Sequence, residues 1–389
     1  MKLWNFRIHF FSIILFSFII LSSCSKIKSW IGGKHLKSGA VVVFHNGPVH
    51  AYRDTKQLPL QTGSVLQPQD EIITNSGSID IQTGEGHIIR VRPFSKLRLD
   101  SFQIKESPGI NLVLRAGGVL IRAGKLRNNE NFRISAPTAI AAVRGTAFSF
   151  EIIEEELPKI KVYEGLVAMT LKLPMSKEIT PEMIARKPLL QKFQQFLSEN
   201  EVVISENEEA TVKPKFEDLV HLVLTRIELN KGNNGILELD EQEYVKSYSK
   251  NSIEISPQEK AELDTLVSVD QEIIDQTLNS DTKKDSMSLK DSIRKDHEQK
   301  LNSAFSKIES EAASKNLESE MEIHNFYNVL ETVHKTDKTQ LNGAILTQIG
   351  DTLILHSPQG VFRLDRKDID FVEYKNFQIS TKKKVQNPK

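Results

Sequence analysis

Apolar and polar positions divide the chain into stretches of different period. The first is a continuous apolar run, Ile8 to Leu21, placed behind the basic residues Lys2 and Arg7 and ahead of Ser22 and Ser23. From Gly39 to about Val212 the period is two. Strands are predicted at Ala40 to Phe44, Glu71 to Thr74, Ser78 to Gln82, His87 to Arg92, Lys96 to Leu99, Asn111 to Leu114, Val119 to Arg122, Phe132 to Ser135, Ala147 to Ile152 and Lys159 to Tyr163. Ile79-Asp80-Ile81-Gln82 and Leu97-Arg98-Leu99-Asp100 give the clearest alternation, one face apolar and the other polar. Glycines stand just before the apolar runs that begin at Val119, Thr146 and Leu166, as corners of a stacked or coiled sheet would require.

Elsewhere the period changes to that of a helix. Thr180-Pro181 predicts an N-cap with proline at N1, Pro188 opens a second helix, and Leu189, Leu190, Phe193, Phe196 and Leu197 fall on one face. This predicts a helical insertion packed on the sheet. Residues 215–250 are predicted as helices around a polar loop. From Ser256, where Ser256-Pro257-Gln258-Glu259 forms a capping box, to about Lys335 the chain is charged and helical. Its apolar seams are narrow: Leu266, Val269 and Ile273, then Ile293, Leu301, Phe305, Ile308 and Ala312, interrupted by Asp270 and His297. Seams so sparse predict helices that bury little surface and need a partner or self-association through 257–335. Asn279 to Ser288 is expected to be an exposed hinge. Gly343 to Tyr374 returns to short strands, at 344–348, 352–356, 361–364 and 369–374, spaced as in small SH3-like or Sm-like barrels. The fold class expected is α+β and multidomain.

Composition narrows the function. The 389 residues are 39% hydrophobic and 26% charged, with 51 basic and 51 acidic side chains. A balanced charge argues against nucleic acid, which selects basic patches. Cys24 is the only cysteine, and it follows the small residues that end the apolar run. At 1.5 Å per residue that run reaches roughly 21 Å, short of a roughly 30 Å hydrocarbon core, which disfavours a membrane span. A basic start, a short apolar stretch and a small-residue site define a secretory signal, and Leu21-Ser22-Ser23-Cys24 resembles a lipobox. Acylation of Cys24 is therefore expected, with a basic tether, 25–37, leading to the first strand. Lipidation would consume the one thiol and leave no cysteine for metal or redox chemistry.

Within the β region the sequence resembles the FecR domain family. The matching residues are Asp70 to Thr74; Gly86 to Pro93 with Ser95 and Leu97; Leu114 to Val119; Ala136 to Phe148; and Val162 to Val167. The resemblance covers about 39–170, and the whole chain is similar to a bacterial envelope lipoprotein of spirochaetal type. It implies an all-β domain, solenoid-like or a sandwich, with Arg144-Gly145-Thr146 as the family's hallmark. Read physically, Gly145 makes a bend, Thr146 favours the next strand, and Arg144 braces a carboxylate or carbonyl across it; the role expected is architectural. FecR proteins that regulate sigma factors place a cytoplasmic segment before a membrane span. Here the apolar run begins at Ile8, so direct sigma contact is not expected.

The segments expected are a signal peptide (1–23), a lipidated tether (24–38), a FecR-like β domain (39–213, insertion 174–200), a helical region (214–338), a small β unit (339–375) and a basic tail (376–389). Chemistry is sparse among them. The ten histidines show no HExxH spacing, there is no G-x-S-x-G and no P-loop, and Gly84-Glu85-Gly86 leads into a strand where a dinucleotide loop needs a helix. An enzyme is not expected, nor any cofactor beyond the covalent lipid. Laid on an EF-hand loop, Asn230, Asn234, Glu238 and Glu241 become candidate calcium ligands, although Asn230 replaces the usual aspartate and Gly232 offers no oxygen. A plain helix-turn-helix is the preferred reading.

The function expected is a non-catalytic lipoprotein held in the envelope, whose FecR-like domain is a scaffold for other envelope proteins or matrix components. A signalling lipoprotein that relays an envelope signal to a membrane regulator is the alternative; a calcium-dependent adhesin is a third. Ser25 after the lipid-bearing cysteine leans toward the outer membrane.

Overall fold

The computed structural model describes residues 39–103, 109–124, 131–143, 145–153, 157–176, 179–229, 241–280 and 283–374. Two nine-stranded sheets share one core. The first runs, edge to edge, through Val65–Leu66, Ala40–Asn46, Ser78–Thr83, Ile88–Val91, Gly118–Arg122, Ala147–Ile152, Pro158–Glu164, Glu208–Val212 and Tyr248–Ser252. The second runs through Lys56–Leu58, Val49–Arg53, Glu71–Thr74, Lys96–Gln103, Gly109–Ala116, Asn131–Ser135, Ala139–Val143, Leu166–Leu171 and Val202–Ser205. Beyond its first four strands the chain fills both sheets in sequence order, so each change of sheet is also a step along the sandwich. Gly109–Ala116 and Asn131–Ser135 pair in parallel, while their neighbours pair antiparallel.

Inward-facing Ile79, Ile81, Ile89, Val91, Val119, Ile121, Phe148 and Phe150 of the first sheet meet Ile72, Leu97, Leu99, Leu112, Leu114 and Phe132 of the second. The predicted alternation holds on the second sheet, where Leu97 and Leu99 are fully buried and Lys96 and Arg98 are half-buried. On the first sheet it does not mark a solvent face. Ile88–Val91 is buried at every position, and Asp80 and Gln82 are buried although they point away from the core.

Eight helices are described. Thr180 caps α1 (Pro181–Arg186) through its hydroxyl, and α2 (Pro188–Glu199) begins at the expected proline. Leu190, Phe193 and Leu197 of α2 enter the sandwich core with Phe216 and Val223 of α3 (Lys215–Leu229) and Tyr244 of α4 (Glu241–Lys246). The stretch 214–338, expected to be a helical region, also supplies two strands. Tyr248–Ser252 is polar and forms a sheet edge, and Glu331–Lys335 is five residues long, so neither carries a strong periodic signal.

The helices α5 (Pro257–Asp264), α6 (Gln271–Asn279) and α7 (Lys283–Ala313) pack on the outer face of the first sheet or on the last sheet. Leu263, Leu266, Val269, Ile274, Leu278 and Ile293 pack on Val41, Val43, Ile88, Leu120, Ala147 and Tyr163, the outward apolar residues of the first sheet. Leu301, Phe305, Ile308 and Ala312 pack instead with α8 (Glu320–Tyr327) and the last sheet. The narrow seams that suggested self-association are thus covered by the chain itself. The expected hinge is helical from Lys283, with 281–282 outside the described residues.

The last sheet has five strands, ordered Gly360–Asp365, Thr352–Ser357, Gln340–Ile349, Glu331–Lys335 and Ile369–Tyr374. Glu331–Lys335 joins the first and last of the four predicted strands, pairing with both.

Candidate functional site

The outer face of the first sheet places charged side chains under a segment of backbone. Asp80 and Arg90 stand opposite each other on adjacent strands. The Arg90 guanidinium donates through Nε to Asp80 Oδ1 and through Nη2 to Oδ2, both at 2.8 Å. Its remaining hydrogens reach the segment above: Nη1 donates to the Thr265 hydroxyl (3.0 Å) and the Glu262 carbonyl (3.3 Å), and Nη2 to the Thr265 carbonyl (3.0 Å). Arg122 adds a bond to the Leu263 carbonyl at 3.3 Å. These carbonyls close the C-terminal turn of α5, where the helix dipole favours cations.

The acidic side of α5 is met in the same way. Arg92 grips both Glu262 oxygens, at 2.9 and 2.7 Å, and also pairs with Glu151. Lys161 takes Glu259 at 2.7 Å. Burial alone would raise the Glu259 carboxyl, but Lys161 and the Ser256 amide and hydroxyl outweigh it and hold the group below the ordinary carboxylate range. Glu259 is also the N3 residue of the predicted capping box. One carboxylate therefore caps α5 and docks it.

Beyond α5 the chain is held by its main chain. Gln82 donates through Nε2 to the Val269 carbonyl at 2.9 Å and accepts from the Val269 amide at 2.7 Å, while Gln271 reaches back to the Gly84 carbonyl at 2.8 Å. Two further histidines are buried, His87 edge-on to Phe132 of the sandwich core and His297 on α7. His87 accepts from the Gly124 amide through Nδ1 at 3.1 Å, and burial pushes its pKa down to about 4. His297 of α7 stacks on Phe44 with ring centroids 5.2 Å apart, and burial lowers it too.

The residues singled out from sequence fall elsewhere. Cys24, Arg144, Asn230, Asn234 and Glu238 lie outside the described residues, and Glu241 is the first residue of α4. Gly145 occupies the left-handed region, φ +64°, at a bend between two strands. Thr146 is buried, and its carbonyl accepts from the Ala123 amide at 2.8 Å. Among the described residues no group of three or more His, Cys, Asp or Glu side chains could hold a metal. The face built on Asp80, Gln82, Arg90 and Arg92 was missed as a site, because a polar residue in an alternating strand reads as solvent-exposed.

The span from Asp70 to Ala168 takes in this face. Residues 70–168 match the FecR protein family. Asp80, Gln82, Arg90, Arg92 and Lys161 thus all lie inside the matched span, while their partners at 256–271 lie outside it. Two crystal structures of a protein provisionally assigned as an anti-sigma factor from Parabacteroides distasonis, at 1.65 and 2.50 Å resolution, are 13% identical to the chain, with TM-scores of 0.29 and 0.30. The alignments cover 50% of this chain and 64% of theirs, less than two thirds of their length. No curated protein matches the chain. Among the described residues no helix is long and apolar enough to cross a membrane.

Proposed function

We propose that this is a non-catalytic signalling protein anchored in the bacterial envelope, in which the FecR domain binds protein and the helical segment fastened to it passes the response to the C-terminal sheet. One observation carries the reading: the FecR match coincides with a sheet face that already holds a polypeptide segment by charge and by main-chain hydrogen bonds. Such polar contacts are individually modest because water competes for every partner. A second protein offering acidic side chains and free carbonyls would compete for them too. The anchor is Cys24, carrying more than one acyl chain, since a single chain holds only reversibly. Ser25 favours the outer membrane.

Crosslinking in intact cells, followed by capture of the full-length chain, tests the role. Recovery of an integral membrane regulator supports signalling, whereas recovery of porins or peptidoglycan alone replaces it with a scaffold role. Palmitate labelling that marks the wild type and spares Cys24→Ser supports the anchor; equal labelling overturns it.

A further inference from the structure

Phe94 is the most exposed large apolar side chain among the described residues, 73% open to solvent, and its backbone lies in the left-handed region at φ +57°. The other non-glycine residues described with positive φ are all polar: Asp54, Gln69, Asn207, Asn316, Asn328 and Lys338. Phenylalanine takes on the strain of a Cβ in that region and here hides little apolar surface in return. A ring kept out of the core on strained backbone has its use outside the molecule.

The bend that carries Phe94 is fixed. It joins Ile88–Val91 of the first sheet to Lys96–Gln103 of the second, and the Phe94 amide donates to the Asn75 carbonyl at 2.7 Å. Two buried hydroxyls hold the chain on either side. Thr74 donates to the Arg92 carbonyl at 2.6 Å and accepts from the Ser95 amide at 2.8 Å, while the Ser95 hydroxyl accepts from the Gly118 amide at 2.9 Å. A ring carried on such backbone loses less freedom when it enters a pocket.

The charges flanking the bend differ in sign. On the second sheet Lys96 and Arg115 each lie 3.1 Å from the Glu71 carboxylate, two cations to one acid. Toward the first sheet Arg92 is shared by Glu151 and Glu262, one cation to two acids. An anionic bilayer presents one sign to all of these groups. A protein can set an acid on one side and a base on the other, as complementarity requires.

We propose that Phe94 is the anchor by which the sandwich docks a partner protein, its ring entering an apolar pocket that offers a carboxylate toward Lys96 and Arg115 and a basic group toward Glu151. The proposal rests on the reading that the FecR domain binds protein, and it names the place. Arg92, two residues ahead of the anchor, also grips Glu262 of α5, so a docked partner reaches a contact that fastens the helical segment.

Measurements on the full-length chain test it. In urea unfolding Phe94→Asn should raise the midpoint, because asparagine tolerates the left-handed region and little burial is lost. A lowered midpoint would show that the ring serves the fold, and overturns the proposal. In intact cells, p-benzoylphenylalanine in place of Phe94 should on irradiation join one protein, at an apolar pocket with an aspartate or glutamate at its rim. Phe94→Asn should lower chemical-crosslinking recovery of that protein about tenfold or more, as loss of an aromatic anchor does. Equal recovery by wild type and Phe94→Asn overturns the anchor and leaves the protein-binding reading standing; recovery of no protein by the wild type overturns both. An adduct with a second copy of this chain also overturns the proposal. Flotation of the Cys24→Ser chain with vesicles of phosphatidylglycerol and phosphatidylethanolamine separates out a lipid surface: binding that Phe94→Asn abolishes would assign the ring to the bilayer and overturn the protein pocket.

Discussion

Asp80 and Arg90 form a two-fold hydrogen-bonded ion pair with side chains 0% and 4% exposed, on the face of the sheet that points away from the sandwich core. A pair so buried is expensive to half-remove, because the remaining charge stays out of water without its counter-ion. Arg90→Met and Asp80→Leu should each cost about 3–5 kcal/mol in urea unfolding. The double variant should cost much less than the two losses added together, and additive losses would show that the two charges are not coupled.

Gln82 substitutes for a strand neighbour by exchanging two hydrogen bonds with the Val269 main chain. Gln82→Leu keeps the volume and removes both partners, leaving a buried amide and carbonyl unsatisfied, at about 2–4 kcal/mol. Hydrogen exchange at Val269 should accelerate in this variant, while the Ile81 amide, in the same strand as Gln82, stays protected. An unchanged Val269 rate would mean that Gln82 does not hold the segment.

The same two residues show how far the sequence could be read. Ile79-Asp80-Ile81-Gln82 revealed a strand and its inward face, because alternation is a local property. It could not reveal that Asp80 and Gln82 are covered, because the covering segment, whose Thr265 binds Arg90 and whose Val269 binds Gln82, is more than 170 positions away from these partners. The caps at Thr180 and Ser256 were legible for the opposite reason, as each is completed within four residues. Tyr248–Ser252 was hidden because an edge strand needs no apolar face. The Arg-Val-Arg of Arg90 to Arg92 lay in plain view within the family resemblance, but only the fold shows what those guanidiniums grip.

Acid should loosen the molecule through His87. Its pKa falls from 6.5 to about 4 on folding because burial disfavours the cation, and the neutral ring accepts the Gly124 amide hydrogen. A group depressed in the folded state lends stability above its unfolded pKa and loses it as pH falls. About 3 kcal/mol should therefore disappear between roughly pH 6.5 and 4. His297 and His356 are lowered in the same sense and add to the slope. Urea midpoints measured across this window should fall less steeply in His87→Asn than in the wild type. Identical slopes would remove His87 from the account.

Gly145 and Gly165 separate backbone strain from crowding. Both have positive φ, +64° and +83°, but a Cβ on Gly145 would meet nothing within 4 Å, whereas one on Gly165 would lie 2.7 Å from Thr146 Cγ2 and 3.1 Å from the Gly145 carbonyl oxygen. Gly145→Ala should therefore cost only the left-handed conformation, about 1–2 kcal/mol. Gly165→Ala adds overpacking, roughly another 1–3 kcal/mol. If the methyl of Thr146 is the obstacle, Thr146→Ser should remove part of that second cost and leave the first untouched. Thermal unfolding of each alanine variant, alone and combined with Thr146→Ser, measures this directly. The alanine penalty at 165 should shrink in the Thr146→Ser background, while the penalty at 145 stays the same. Equal penalties in both backgrounds would show that the bend, not the contact, requires glycine at both positions.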